Sequence, residues 1–99
     1  MTGEPVIADT APHCTVTIVN SRGLHARAAA KFVQTATGFD AAIGVTRNGQ
    51  TVSGISIMGL MMLAASPGSE IHIAADGVDA DAALAALKSL VEAGFDEED

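Results

Sequence analysis

The stretch Gly23-Leu24-His25-Ala26-Arg27 combines residue types that could handle a phosphate group. After it, apolar residues recur at the spacing of one helix face: Ala26, Ala29, Phe32, Val33 and Ala36. This pattern predicts that His25 directly precedes an amphipathic helix, whose first backbone N–H groups lack acceptors and whose macrodipole favours anions. The imidazole is a nucleophile, and Arg27 adds a permanent cation with several N–H donors. Together they indicate a candidate site for phosphoryl chemistry.

The same residues also have an ordinary structural interpretation, because a histidine at a helix start is often only a capping or surface residue. Arg27, however, would place a positive charge in the first helical turn, where the dipole disfavours it. Local rules of this kind tend to be broken where a site needs something else, so Arg27 favours an anion ligand. The residues of this stretch alone leave both interpretations open.

The overall charge excludes several other functions. The chain of 99 residues has a formal net charge of −7, which opposes binding to nucleic acid phosphates. It has three Phe and neither Trp nor Tyr, so it offers few aromatic rings on which bases could stack. Nucleic acid is therefore not an expected partner.

Cysteine usage and apolar patterning predict one small cytoplasmic domain. Cys14 is the single cysteine, so an internal disulfide is excluded and a reducing compartment is favoured. Apolar runs stay shorter than the roughly 18 residues that a membrane span requires. Residues 1–12 lack the pattern of a signal peptide and are expected to form a flexible arm. Residues 96–99 form an acidic tail, which we expect to be solvated rather than part of a site.

The element order predicted around the site is βαββαβα. Strands are expected over 15–19, 42–46, 50–53 and 70–75, and helices over 26–37, 57–63 and from about 79 to 94. Asn48-Gly49 predicts a tight hairpin turn, and Gly38 is expected in the left-handed conformation after the first helix. Phe39 is expected to fold back onto the core. One sheet covered on one side by helices is the simplest packing for these elements.

Ser56 begins a short segment that is apolar on every side, with Met58, Leu60, Met61 and Met62. A serine in this position caps a helix, and a phosphate added to it would be tolerated by the helix N-terminus. Methionines of this kind often fill a core. A short helix cannot bury every face under one sheet, however, so part of the segment is expected to remain exposed as a binding patch.

Other constellations do not support a distinct chemistry. His13, Cys14 and His72 match no zinc spacing, and Cys14 is expected to be structural. The serines lack a Gly-x-Ser-x-Gly elbow, and no loop resembles a nucleotide-binding P-loop. No metal site is predicted.

Two motifs, Gly23-Leu24-His25-Ala26-Arg27 and Ser56-Ile57-Met58-Gly59, resemble those of the HPr family, the histidine-containing phosphocarriers of the bacterial phosphoenolpyruvate-dependent phosphotransferase system. The Asn48-Gly49 hairpin lies between them, and Pro67-Gly68-Ser69-Glu70 precedes the last strand. The resemblance covers about residues 14–95. It implies an α+β fold, the open-faced β-sandwich of this family, with a four-stranded antiparallel sheet and three helices on one face. The corresponding domain is expected over 13–95.

The resemblance also implies a function. His25 would accept a phosphoryl group at Nδ1 from phosphorylated enzyme I and pass it to an enzyme IIA domain, while Arg27 and the backbone N–H groups of Ala26 and Arg27 steady the charge. Ser56 matches the regulatory serine that a dedicated HPr kinase phosphorylates in some bacteria. Ile57, Met58 and Met61 match the apolar docking surface for partners. The chain would be a monomeric carrier without a cofactor rather than a stand-alone enzyme.

Two positions depart from the family pattern. Ala28 stands where the family usually has proline, which removes a fixed φ and restores one N–H donor. Arg22 stands where a small polar residue is more common and adds a cation near the site. Three alternatives remain: a carrier of the nitrogen-related regulatory branch, a purely regulatory module acting through Ser56 with His25 idle, and a structural domain without phosphate chemistry.

Overall fold

A computed structural model describes residues 7, 8 and 10–97 of the chain. Its elements are β1 (His13–Thr17), α1 (Ala26–Ala36), β2 (Ala42–Arg47), β3 (Gln50–Ser53), α2 (Ile57–Met62), β4 (Glu70–Asp76), α3 (Ala80–Glu92) and a short 3-10 turn η1 (Gly94–Asp96). The four strands form one sheet in the order β1-β4-β2-β3, with every neighbouring pair antiparallel. The predicted α+β architecture, an open-faced sheet in the order βαββαβα, is confirmed.

The sheet alternates between a buried and an open face. Val16 pairs with Ile71, and Val45 pairs with Ile73, and all four side chains are buried towards the helices. Thr15, the residue before Val16 on β1, lies on the other face of the sheet, where it is exposed. This period of two follows from the strand backbone, since successive side chains point to opposite faces.

The helices cover the buried face with the apolar stripes that the sequence shows. α1 buries Ala28, Ala29, Phe32 and Ala36, and α3 buries Ala80, Ala83, Leu84, Leu87 and Val91. Phe32 has no exposed surface. Complete burial of one such side chain stabilises a fold by about 1.5–3 kcal/mol, so these stripes fix how α1 sits on the sheet.

The hairpin between β2 and β3 has the geometry that Asn48-Gly49 predicts. Asn48 has φ 52° and Gly49 has φ 81°, and two consecutive positive φ values are what a type I′ turn requires. Thr46 Oγ1 and Thr51 Oγ1 lie 2.7 Å apart beside the turn, which supports the pairing register of the two strands.

Two local predictions differ from the structure. β1 spans His13–Thr17 rather than 15–19, because its pairing with β4 runs from His13 opposite Ala74 to Thr17 opposite Glu70. Gly38 does not adopt the left-handed conformation, so that prediction is wrong. Its N–H instead donates to the carbonyl of Thr35 at 3.2 Å, a tight turn that places Phe39 against the core as expected.

The predicted terminal segments lie partly outside the described residues, which exclude 1–6, 9, 98 and 99. Within the predicted arm, Ala11 is buried and the N–H of Ala8 donates to Asp76 Oδ2 at 3.3 Å. In the described part of the chain, no helix has both the length and the apolar character needed to cross a membrane.

Candidate functional site

His25 is the N-cap of α1. Its backbone is extended, with φ −80° and ψ −178°, and its Nδ1 accepts a hydrogen bond from the backbone N–H of Arg27 at 3.3 Å. The His25 carbonyl also accepts the N–H of Ala29, the first regular bond of the helix. An imidazole nitrogen thus replaces the hydroxyl or carboxyl oxygen that more often caps a helix. The side chain is 23% exposed, so one edge of the ring faces solvent.

The loop before His25 is fixed by close backbone packing. Gly23 has φ 65°, and a Cβ at this position would lie 2.4 Å from the carbonyl oxygen of Ala65. Only glycine fits both the left-handed backbone and this approach. The N–H of Leu24 donates to the same Ala65 oxygen at 2.9 Å, and Asn20 Nδ2 donates to the Gly23 carbonyl at 2.8 Å. The loop that presents His25 is therefore attached to the segment between α2 and β4.

Glu97 contacts the other nitrogen of the His25 ring. Its Oε2 pairs with His25 Nε2, and its Oε1 accepts a hydrogen bond from Asn20 Nδ2 at 3.0 Å. The hydrogen bond from His25 lowers the pKa of the Glu97 carboxyl below its usual value. The hydrogen bond from Asn20 and the charges of His25 and Arg22 lower this pKa as well. The carboxylate form is therefore favoured beside the imidazole.

This placement corrects the expectation that the acidic end of the chain is a solvated tail outside any site. The Glu97 side chain is only 12% exposed. The physical reason is Phe95, which has no exposed surface and fixes the segment before Glu97 in the core. The signal in the sequence was an apolar Phe after Gly94, inside an otherwise acidic ending.

Cationic side chains lie in the same depression as the imidazole, together with the carboxylates of Asp96 and Glu97. An open depression of about 760 Å³ is lined by Arg22, His25, Arg27, Lys31 and Glu97, among others. Lys31 Nζ donates to the carbonyl of Phe95 at 2.7 Å. For the Arg27 guanidinium, by contrast, the described residues provide no hydrogen-bond or ion-pair partner, and its side chain is exposed. Arg22, the departure from the family pattern, lies at the site as the sequence predicts.

Ser56 caps α2 and lies next to an exposed apolar surface. Its Oγ accepts the backbone N–H of Gly59 at 3.0 Å. Leu60 points inwards, while the outward side chains form what we call the α2 patch: Ile55, Ile57, Met58, Met61 and Met62. Met58 is the most exposed of them, at 71%. The prediction that α2 leaves apolar side chains in solvent is confirmed, and Ile55 and Met62 extend the predicted surface of Ile57, Met58 and Met61.

The remaining histidines and the cysteine lie away from this site. His72 and Thr15 face the open side of the sheet, with His72 Nδ1 and Thr15 Oγ1 2.9 Å apart. The His13 ring stacks obliquely on His72 with centroids 4.7 Å apart. Cys14 is half-buried, and burial raises the pKa of its thiol. Within residues 7, 8 and 10–97, no group of three or more His, Cys, Asp or Glu is placed to hold a metal ion.

Fold and site together define a class of protein: an open-faced sheet in which a histidine caps the first helix beside cationic side chains. The family model for the "PTS HPr component phosphorylation site" matches residues 13–93. This chain belongs to the HPr family of phosphocarriers of the phosphotransferase system.

Known relatives agree with that assignment. The phosphocarrier protein HPr of Neisseria meningitidis is 49% identical over 82 residues, which cover 83% of this chain and 92% of the relative. The phosphocarrier protein NPr of Shewanella violacea is 48% identical and covers 83% of this chain and 90% of the relative. The crystal structure of HPr from Thermoanaerobacter tengcongensis superposes with a TM-score of 0.84 at 44% identity, and covers 88% of this chain and 98% of that one.

Proposed function

We propose that His25 is the phosphoryl acceptor, that phosphorylated enzyme I is the donor, and that an enzyme IIA domain is the recipient. The observation that carries this proposal is the position of His25 Nδ1 at the positive end of α1, 3.3 Å from the Arg27 N–H. The chain would act in the cytoplasm as a monomeric carrier. No cofactor is needed for such a transfer between two histidines.

The geometry suggests how the transfer would proceed. The Arg27 N–H leaves the lone pair of His25 Nδ1 as that lone pair attacks phosphorus, and the backbone N–H groups of Ala26 and Arg27 then donate to the arriving phosphoryl oxygens. The Arg27 guanidinium, which has no partner within residues 7, 8 and 10–97, supplies further donors and a permanent charge. Phosphoryl transfer of this kind depends mainly on positioning and charge stabilisation, which a helix end and a nearby cation provide without further covalent chemistry.

The α2 patch supports the docking part of the proposal. Exposed methionines can adapt to different partner surfaces, and a carrier must bind both a donor and a recipient. Leu24 connects the His25 loop to the segment after α2 through its bond to Ala65, so the patch and the imidazole are held in one arrangement. Within this proposal, Ser56 is a regulatory phosphorylation site for an HPr kinase at the edge of the patch.

Phosphorylation with purified enzyme I and phosphoenolpyruvate tests the acceptor. We expect wild type and His72→Ala to gain an acid-labile phosphoryl group and His25→Ala to gain none. His25→Ala should remain folded, because loss of an N-cap typically costs about 0.5–2 kcal/mol. Labelling of folded His25→Ala would overturn the assignment of the acceptor, and absence of labelling in wild type would favour a regulatory or structural role.

The NPr relative supports one second candidate, a carrier in the nitrogen-related branch. That candidate uses the same His25 chemistry with a different donor. Rates of phosphorylation by a sugar-type enzyme I and by its nitrogen-type counterpart distinguish the two. A faster rate with the nitrogen-type donor would favour the second candidate.

A further inference from the structure

We propose that Glu97 is a positioning residue for His25, which holds the ring proton on Nε2 and so keeps Nδ1 unprotonated, with its lone pair available for attack on phosphorus. This inference rests on the proposed function, in which Nδ1 forms the new bond to phosphorus. It adds a carboxylate from the far end of the chain to a site otherwise built from residues around the start of α1.

The partners of the two ring nitrogens specify one tautomer. Arg27 presents a backbone N–H to Nδ1, and an amide N–H can only donate, so Nδ1 must be the acceptor. Glu97 presents an ionised carboxylate to Nε2, and a carboxylate can only accept, so Nε2 must carry the proton. The two constraints come from different parts of the sequence and agree.

The carboxylate is held in place by a segment built for that position. Gly94, Phe95 and Asp96 have φ values of 65°, 57° and 59°, and left-handed backbone is unfavourable for the two residues that are not glycine. Such strain persists where the surroundings over-determine it, and it is concentrated at functional sites. Here the surroundings are the buried ring of Phe95 and the bond from Lys31 Nζ to the Phe95 carbonyl.

Asn20 fixes the second oxygen of the carboxylate. The residue is 4% exposed, and its Nδ2 donates both to Glu97 Oε1 and to the carbonyl of Gly23. One buried amide therefore joins the loop that presents His25 to the segment that presents Glu97. A carboxylate fixed at both oxygens sets the orientation of the imidazole as well as its tautomer.

This arrangement suits phosphoryl transfer from a phosphohistidine donor. The lone pair of His25 Nδ1 forms the new N–P bond, the donor's N–P bond breaks, and its electron pair stays on the donor nitrogen. No proton leaves His25, because Nδ1 is unprotonated and Nε2 keeps its proton. The ring gains positive charge in this step, and the Glu97 carboxylate lies beside it to stabilise that charge. A carboxylate acts on imidazole in the same way in hydrolase triads.

The carboxylate does not compete with the phosphoryl group for its place. Glu97 contacts Nε2, whereas the phosphoryl group would bind Nδ1, on the other side of the ring. The depression is lined by three cationic side chains, Arg22, Arg27 and Lys31, against the two carboxylates of Asp96 and Glu97, so Glu97 does not leave it with an excess of negative charge. Phosphorylation therefore requires no displacement of Glu97.

The test uses the full chain with Glu97→Gln and Glu97→Ala. Gln removes the charge but keeps an oxygen that can accept from Nε2, and Ala removes both. Glu92→Gln is the matched control, because it removes one carboxylate charge from an exposed position at the end of α3. Transfer from phosphorylated enzyme I is followed together with the NMR shifts of the two ring nitrogens of His25.

We expect the maximal transfer rate to fall about 10-fold or more in both Glu97 variants, with an unchanged apparent Michaelis constant, since the carboxylate acts on the charge that develops in the transition state rather than on docking. In Glu97→Ala the ring-nitrogen shifts should change from the Nε2–H tautomer to a mixture. Glu92→Gln should match wild type in both measurements.

The inference is wrong if the Glu97 variants keep the wild-type rate and tautomer, or if they transfer faster, which would make Glu97 an obstruction. Failure of the proposed function itself has a different signature, because wild type would then not be labelled at His25. In that case the ring-nitrogen shifts still decide whether Glu97 sets the tautomer. Thermal unfolding of each variant separates loss of positioning from loss of fold.

Discussion

Ser56 Oγ lies 3.0 Å from the backbone nitrogen of Gly59 and accepts its hydrogen. This single contact makes Ser56 the cap of the helix that carries the α2 patch. A Cβ on Gly59 would come within 3.1 Å of both Ser56 Oγ and Val52 Cβ, so the helix start lies closely against β3. A change at Ser56 is therefore expected to affect both the stability of this helix and the binding of a partner protein on the α2 patch.

We predict that Ser56→Asp weakens phosphoryl acceptance by raising the apparent Michaelis constant for phosphorylated enzyme I, while the fold is kept. Asp is as good a helix cap as Ser, so α2 should persist. Its charge, however, must be desolvated on docking beside an apolar patch. Transfer kinetics and the thermal midpoint, measured on the same samples, check both statements.

Ser56→Ala is the companion variant. It should transfer normally and lose about 0.5–2 kcal/mol of stability, the usual cost of a lost cap. If Ser56→Asp lowers the thermal midpoint as much as Ser56→Ala does, a broken cap rather than the charge accounts for its effect on transfer.

Arg27→Ala should slow transfer without abolishing it. Its guanidinium has no partner among the described residues and faces the same depression as His25. Removal of one preorganised donor to a developing charge costs about 2.7–4 kcal/mol in the barrier, or roughly 100- to 1000-fold in rate. Single-turnover transfer from phosphorylated enzyme I measures this, with Lys88→Ala on the exposed face of α3 as the charge-matched control. An unchanged rate would show that the end of α1 suffices.

The Glu97 contact should make stability depend on pH in acid. The folded-state pKa of Glu97 lies below its ordinary value of 4.5, so the contact stabilises the fold fully above that value. The contribution is lost as pH falls from about 4.5 through the folded pKa. The difference in thermal midpoint between wild type and Glu97→Gln should therefore shrink as pH falls through this range. A difference that grows as pH falls below about 4.5 would contradict the sign.

Cys14 should be a slow nucleophile in the folded chain. Burial raises its thiol pKa above 9.0, Lys88 opposes the shift, and Glu92 adds to it, so little thiolate is present near neutral pH. Alkylation by iodoacetamide at pH 8 should be slower in native protein than in urea-unfolded protein. Equal rates in the two states would show that burial does not protect the thiol.

Local patterns were sufficient to predict most of the fold. The stripe that includes Ala29 and Phe32 is the buried face of α1, because apolar residues that recur about every 3.6 positions lie on one face of an α-helix. Asn48 and Gly49 became the hairpin turn, because few other dipeptides tolerate two positive φ values. Both signals lie within a few residues of the structure they specify, and so does the capping position of His25.

The carboxylate at the site could not be predicted in this way. Its position depends on Phe95 entering the core and on Asn20 reaching Glu97 across 77 residues of sequence. No short window contains both partners, and an acidic chain ending ordinarily indicates a solvated tail. The prediction of a left-handed Gly38 was wrong because the helix ends in a tight turn instead. The Gly38 N–H donates to the Thr35 carbonyl, which needs no positive φ.

The contact between His25 and Glu97 joins residues 72 positions apart, one near the start of the chain and one near its end. During synthesis the imidazole is made early, but its carboxylate neighbour emerges from the ribosome only after all three helices and the whole sheet. Phe95, which is part of the core, precedes Glu97 by only two residues, so the same segment completes both the core and the site. Truncation of the chain after Gly94 would therefore remove a core side chain and the carboxylate beside the imidazole in a single step.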